Sequence, residues 1–440
     1  MGARVIGVVG AGTMGAGIAQ LAARAGARTL LHDPLPDALA RGAQRAREGL
    51  AKEAAKGRLQ AGEAEAAASR IETIDTLDAM SACELVIEAA PERLELKHEL
   101  FARLTEIVAD KCVLASNTSS LLVTAIAAAV PRPERVVGMH FFNPPPIMRL
   151  LEVVAGEQSS DEALALAHAT GEAMGKTVIR AQDGPGFLVN RCNRPFGLEA
   201  LRILQERVAD IETIDRTMRV QGGFRMGPFE LMDLVGVDTG LEISVSFYEQ
   251  SFGEPRWRPS PIAARYVAAG LCGRKTGRGY YDYSRDPYRA PDPDPNPNPN
   301  PDPPANPGSN PSADADPSAH TSARADLAPP AAVAAQDTVK PAAGGVLERI
   351  LCQVINECAF ALGEGVGSAQ DIDTGMTLGL NYPRGPLAWA DEIGLDHVLA
   401  VLDGLCDAYR EERYRPAPVL RRLVHEGRTG RASGAGFFEY

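Results

Sequence analysis

The stretch that most constrains this chain lies at its start. Val5-Ile6-Gly7-Val8-Val9 is an apolar run of strand type that stops at Gly10-Ala11-Gly12-Thr13-Met14-Gly15. Ile18, Leu21, Ala22 and Ala25 then recur at helical spacing, and a second apolar run, Thr29-Leu30-Leu31, ends at Asp33. Strand, glycine turn, helix, strand and terminal acid in that order form the fingerprint of a dinucleotide-binding β-α-β unit. Each part has a physical task. Gly10 permits the tight turn, Gly12 lets the backbone approach a pyrophosphate, and Gly15 lets the helix pack close to the sheet. The pyrophosphate would rest on free N–H groups of the turn and helix start, over Ala11, Thr13 and Met14. Asp33 is placed to accept hydrogen bonds from ribose hydroxyls. Its carboxylate repels a 2′-phosphate and Pro34 offers no cation to offset it, so the expected cofactor is NAD.

Further strand runs follow at 84–88, 113–115, 136–139, 151–154 and 177–179, with helical periodicity between them (Leu96, Leu100, Leu104, Ile107). Residues 1–182 therefore read as an α/β, Rossmann-like, doubly wound and mostly parallel sheet. The Ala-rich, charged segment 36–70 reads as a helical excursion projecting from it. Over 183–284 the strand signal disappears and an all-α domain is expected. Segment 285–343 holds nearly half of the chain's 33 prolines. It alternates Asp-Pro with Asn-Pro and is expected to be a disordered, semi-extended linker.

Residues 344–440 repeat the helical domain. Ile214-Asp215-Arg216-Thr217-Met218 finds an echo in Ile372-Asp373-Thr374-Gly375-Met376, and Arg225-Met226-Gly227-Pro228 in Pro383-Arg384-Gly385-Pro386. Asp233, Gly236 and Asp238 recur as Asp391, Gly394 and Asp396 at the same shift in numbering. The fold class is thus a Rossmann-like sheet followed by two all-α domains, the second a degenerate copy of the first.

Composition narrows the function classes. A net charge of −12 argues against nucleic acid as a partner. No run of about 18 apolar residues is present, so no membrane span is expected. The first strand begins too early to leave room for a signal peptide, and the seven cysteines are scattered without metal-ligand spacing. They read as small buried hydrophobes in a reducing cytoplasm, with no metal site.

Two polar clusters follow strand runs and so should sit at the carboxyl edge of the sheet, where open α/β sheets bind ligands. One is Ser116-Asn117-Thr118-Ser119-Ser120; the other is His140-Phe141-Phe142-Asn143-Pro144. Glu152 lies in the next strand run, past Pro144-Pro145-Pro146, and a hairpin-like return would bring its carboxylate beside His140. Oxidation of an alcohol needs a base for the hydroxyl proton as hydride leaves, and an imidazole oriented by a buried carboxylate suits that task.

With these residues in view, the chain resembles the 3-hydroxyacyl-CoA dehydrogenase family. The likeness rests on GAGTMG, Ile87-Glu88-Ala89-Ala90, SNTSSL at 116–121, HFFNPPPIMRLLEVV at 140–154, the Asp183–Arg191 stretch, the run from Met226 and Lys275-Thr276-Gly277. The resemblance implies NAD-dependent oxidation of an L-3-hydroxyacyl-CoA to the 3-ketoacyl-CoA, with His140 as base and Glu152 as its partner. It implies that Ser119 bonds the substrate oxygen and that Asn190 and Asn143 help place substrate and nicotinamide. It also assigns Glu92, Lys97 and Lys275 to the cofactor site and Lys56 to CoA, where Gly49 stands in place of the family's neighbouring serine. A short tail, as in 3-hydroxybutyryl-CoA, is expected. The alternatives are 3-hydroxyadipyl-CoA of aromatic-acid breakdown, a free sugar acid, or a non-catalytic NAD(H)-binding role. Single-copy members dimerise through the helical domain, so the second copy is expected to form an intrachain pseudo-dimer, with homo-oligomers as a further outcome. At the repeat's shift Arg191 maps to Arg349 and Glu199 to Glu357, but Asn190 maps to Glu348. The copy is therefore read as structural.

Overall fold

The computed structural model describes residues 2–292 and 345–440. β1 (Val5–Val9) leads through the glycine turn into α1 (Thr13–Arg24), and β2 (Arg28–His32) returns parallel to it. α2 (Pro36–Ala55) and α3 (Ala61–Ser69) precede β3 (Ile71–Thr73), a strand too short to show as an apolar run. β4 (Leu85–Glu88), α4 (Leu94–Ile107), β5 (Val113–Ser116), α5 (Val123–Ala127) and β6 (Val136–Phe141) continue the alternation. β7 (Leu150–Ala155), α6 (Asp161–Ala173) and β8 (Thr177–Gln182) complete it. The strand order is β3-β2-β1-β4-β5-β6-β7-β8, and every neighbouring pair is parallel except β6 with β7.

Alternation along the strands covers both faces. Ile6, Val8, Leu31 and Ile87 pack with Ile18, Leu21 and Ala22 of α1 on one side. Val9, Leu30, Val86 and Leu114 pack with Phe101 and Leu104 of α4 on the other. Each such fully buried side chain contributes about 1.5–3 kcal/mol. The excursion at 36–70 is not a free projection. Ala46 and Leu50 of α2 bury against Ala23, Ala64, Ala67 and Ile71, because an Ala-rich helix can approach α1 closely.

The helical region begins with α7 (Val189–Gln205), α8 (Ile211–Val220), α9 (Pro228–Val235), α10 (Val237–Gln250) and α11 (Pro261–Ala268). The expected linker start is corrected here. Residues 285–292 stay docked on this domain: the Tyr288 hydroxyl donates to Glu230 at 2.8 Å, and Arg219 pairs with Asp292 at 2.7 Å. Two buried charges on α8 and α9 thereby gain partners that a free linker would withhold. The remainder of the expected linker lies outside the described residues.

The second copy comprises α12 (Val346–Gly363), α13 (Ala369–Leu380), α14 (Pro386–Ile393), α15 (Leu395–Tyr409) and α16 (Pro418–His425). The repeat holds at the level of hydrogen bonds. Asp215 accepts from the Phe229 and Glu230 amides at the start of α9, and Asp373 accepts from Leu387 and Ala388 at the start of α14. Asp233 and Asp391 likewise hold the closing aromatic turns through Tyr280 and Tyr281, and Phe437 and Phe438. The echoed aspartates are thus carboxylate caps that answer otherwise unpaired backbone amides.

α7 and α12 pack together through a reciprocal set of ion pairs. Arg191 meets Glu357 at 2.9 Å and Glu364 at 2.6 Å; Arg349 meets Glu199 at 2.5 Å and Glu206 at 2.7 Å. The two sets are related by the shift that carries Asp215 to Asp373. At the position matching Asn190, Glu348 turns to the surface and pairs with His397 at 2.6 Å. The second copy also reaches the sheet: a β-carbon on Gly375 would lie 2.7 Å from Val189, and one on Gly379 would lie 2.8 Å from Leu150. Glycines here let α13 lie close over β7 and the start of α7.

Candidate active site

The glycine turn closes on its neighbours as its spacing predicts. Gly10 has φ +98°, and its N–H donates to the His32 carbonyl at 2.8 Å. A β-carbon on Gly15 would lie 1.7 Å from the Gly10 carbonyl oxygen, so only glycine lets α1 start so close to the turn. At Gly12 the space is open: a β-carbon there would meet no atom within 4 Å. That is the cradle a pyrophosphate would need: the first amides of α1, at Thr13 and Met14, beside a position with no side chain in the way. Asp33, just past β2, accepts from the Ala11 amide at 2.8 Å and from Leu35 at 3.0 Å. It therefore braces the turn while standing at the end of the strand.

Beside the turn, where β4 and β5 end, lies a buried charged cluster. Lys97 of α4, 1% exposed, pairs with Glu88 at 2.7 Å and with Glu92 at 3.2 Å. The Ser116 hydroxyl donates to Glu88 at 2.6 Å. Glu92 accepts from the Thr118 hydroxyl at 2.6 Å and from the Ser119 and Ser120 amides at 2.9 and 3.0 Å. Burial alone would push the Glu92 carboxyl up, but the Thr118 hydroxyl, the Lys97 ammonium and those amides together hold it below the usual range. Lys97 is enclosed by these partners, so its influence on a ligand passes through Glu88 and Glu92. Ser119 itself is exposed at the loop tip. Spacing along the chain gives no role to Glu88 or Ser116, because their partnership needs α4 folded over the strand ends.

The antiparallel register of β6 and β7 sets His140 opposite Glu152. His140 lies inside β6, one residue before its end, and not after the strand. Its Nδ1 is 2.6 Å from Glu152 Oε2, with His140 6% exposed and Glu152 fully buried. An ionised carboxylate can only accept, so the tautomer that fits this contact carries its proton on Nδ1 and leaves the Nε2 lone pair free. Glu152 Oε1 accepts from the Leu188 and Val189 amides at 3.2 and 2.9 Å, at the start of α7. The helix N-terminus favours a negative charge there. Phe142 and Phe187 flank the imidazole, with ring centroids at 4.7 and 5.7 Å. Asp183 anchors the connecting loop by accepting from the Val123 and Thr124 amides of α5.

Asn190 follows Val189 directly and lines a cavity of the helical domain. Asn143 is exposed just beyond β6. Lys275 is tied to Asp238 at 2.6 Å, at the start of α10. Lys56 caps α2 and is exposed, while a β-carbon on Gly49 would lie 2.0 Å from the Gln20 carboxamide oxygen. Gly49 thus faces α1, and a serine there would have to displace Gln20 to reach a ligand. Among the described residues no cluster of side chains suits a metal ion, and no helix is long and apolar enough to cross a membrane. The seven cysteines are free thiols, five of them buried.

Comparison with known proteins identifies the family. Residues 5–184 match the 3-hydroxyacyl-CoA dehydrogenase NAD binding domain, and 186–283 and 344–440 each match the C-terminal domain of the same family. A 3-hydroxyadipyl-CoA dehydrogenase of Escherichia coli is 37% identical, covering 95% of this chain and 97% of its own length. A probable 3-hydroxybutyryl-CoA dehydrogenase of Bacillus subtilis is 42% identical over 63% of this chain and 96% of its own. Among solved structures, a 3-hydroxybutyryl-CoA dehydrogenase from Escherichia coli superimposes with TM-score 0.81 at 31% identity, covering 97% of this chain and all of that one. A double match to the C-terminal domain, a Rossmann-like sheet ahead of it and near-complete coverage lead to one assignment: the chain belongs to the 3-hydroxyacyl-CoA dehydrogenase family.

Proposed function

We propose that the protein oxidises an L-3-hydroxyacyl-CoA to the 3-ketoacyl-CoA with NAD, using His140 and Glu152 as the proton-transfer pair. The carrying observation is the 2.6 Å contact between His140 Nδ1 and Glu152, near the end of β6 in the sheet whose β1 leads into the open glycine cradle. His140 Nε2 takes the hydroxyl proton as the C3–H bond breaks. Gly12 and Asp33 are the residues that would hold NAD, which when bound would accept the hydride leaving C3. The imidazolium that forms donates through Nδ1 to Glu152, whose charge the Leu188 and Val189 amides hold in place. Ser119 and Asn190 would bond the substrate oxygen as it becomes a carbonyl. Asn143, Glu92 and Lys97 would shape the nicotinamide side, Lys275 would complete it, and Lys56 would meet CoA. In the reverse direction, acetoacetyl-CoA should consume NADH with loss of its absorbance; a folded protein that leaves NADH untouched would refute the reading.

The ribose contact makes a separate expectation. Asp33→Ala should raise the relative use of NADP by about tenfold or more, since the repulsion of a phosphate at contact distance is removed. The ratio of kcat/KM for the two cofactors measures it, and an unaltered ratio would count against the contact.

We also propose that the second helical copy stands in for a subunit. A two-fold interface pairs residue i with j and j with i. The relation between Arg191–Glu357 and Arg349–Glu199 has that form within one chain.

A further inference from the structure

A cavity of about 190 Å³ in the helical domain is lined by Asn190, the residue after Val189, whose amide donates to Glu152. Its walls are mostly apolar, with Leu198, Leu201, Leu231, Met232 and Val237 from the first helical copy and Leu380 from the second. Arg194 lines it as well. It sits one helical turn after Asn190 and so on the same face of α7.

This arginine lacks the partners its relatives in the helical domains have. Arg191, Arg219 and Arg349 are each met by two carboxylates. Among the described residues, Arg194 Nε has no hydrogen-bond partner and Nη1 reaches the Ser244 hydroxyl alone, at 3.4 Å. The guanidinium carbon stands 5.1 Å from the centre of the Phe247 ring. Burial without an acidic neighbour pushes the group down to about 10, where it is still charged at neutral pH. A half-buried cation whose Nε is shut away from solvent and unanswered is costly to keep, and an anion in the cavity would offset that cost.

We propose that Arg194 sets the acyl specificity: it receives the terminal carboxylate of a dicarboxylic 3-hydroxyacyl-CoA whose methylenes lie along the apolar walls. This rests on the reaction proposed above and names its substrate class. The reach agrees. Asn190, which would hold the C3 oxygen, and Arg194 are separated by about 6 Å along the helix axis. A six-carbon diacid, with two methylenes between C3 and the far carboxyl, spans that distance. A neutral tail leaves the cation unanswered and is rejected for that reason, as a site built for a polar group rejects a ligand lacking it. The second copy also closes the subsite: the Tyr382 hydroxyl donates to Asn193 at 2.9 Å, next to Arg194 in sequence, while Leu380 forms part of the wall. On this reading the carboxylate favours the adipyl over the butyryl alternative.

The test compares two thioesters of equal carbon count, 3-hydroxyadipyl-CoA and 3-hydroxyhexanoyl-CoA, with NAD and the full-length chain. Wild type should favour the dicarboxylic substrate in kcat/KM by about 10²-fold or more, the worth of a close desolvated charge pair. Arg194→Met should lose that preference by lowering the adipyl value and raising the hexanoyl value. Arg194→Lys should keep part of it, since the charge remains but the bidentate fork does not. Equal use of both thioesters by wild type would overturn the proposal. So would Arg194→Met and Arg194→Lys proteins with wild-type Tm that slow both substrates alike. Wild type inert toward every 3-hydroxyacyl thioester would instead sink the underlying reaction and this subsite with it, whereas turnover without charge preference sinks the subsite alone.

Discussion

His140→Gln is expected to lower kcat by about 10²–10⁴-fold, the range that a positioned general base supplies, while NADH still binds. Glutamine fills much of the imidazole's volume and can donate to Glu152, so the carboxylate, fully buried and held by two amides, keeps a partner. What it cannot do is take a proton at the position of Nε2. The glycine cradle and Asp33 lie on other strands and keep their own hydrogen bonds. Single-turnover rates with acetoacetyl-CoA measure the first effect, and fluorescence titration with NADH measures the second. A variant within threefold of wild-type rate would remove His140 from the mechanism.

Arg349→Met is expected to cost about 3 kcal/mol of stability, a typical penalty for leaving one half of a buried pair behind. Burial alone would push the Glu199 carboxyl up, and the Arg202 and Arg349 guanidiniums hold it below the usual range. Methionine removes one of those cations and leaves Glu206 with weaker partners. The loss falls on the seam between α7 and α12, so thermal unfolding should show a lowered Tm, with the helical copies separating first under limited proteolysis. Combining Arg349→Met with Glu199→Gln should cost less than the sum of the two single changes, because the orphaned charge goes with its partner. A Tm within one degree of wild type for Arg349→Met would show that the reciprocal pairs do not hold the copies together.

Much of the α/β half was legible because its signals are local. The glycine turn, the helix behind it and Asp33 sit within one β-α-β unit, where spacing alone dictates geometry. The His140–Glu152 pair was legible for a related reason. Two adjacent strands joined by a short return keep a period of two, so a residue near the end of one meets a predictable residue near the start of the next. The repeated aspartates were visible as a pattern, although their work as caps on the helix starts and closing turns was not. β3 is three residues long and left no periodicity to read. Residues 285–292 look like linker by composition, yet they are held by Glu230 and Arg219, which are remote in sequence.

Sequence by itself determined the nucleotide cradle, the strand alternation, the duplicated helical unit and the His-Glu pair, because each depends on residues close along the chain or on a regular repeat. Tertiary structure alone decided that Lys97 is enclosed by Glu88 and Glu92, that Arg191 and Arg349 answer carboxylates in the opposite copy, and that Arg194 meets none among the described residues. An arginine in a helical run has the same appearance whether it faces water, a carboxylate or an empty apolar cavity. Only the packing of segments remote in sequence sets its dielectric surroundings and its partners, and with them the free energy of its charge.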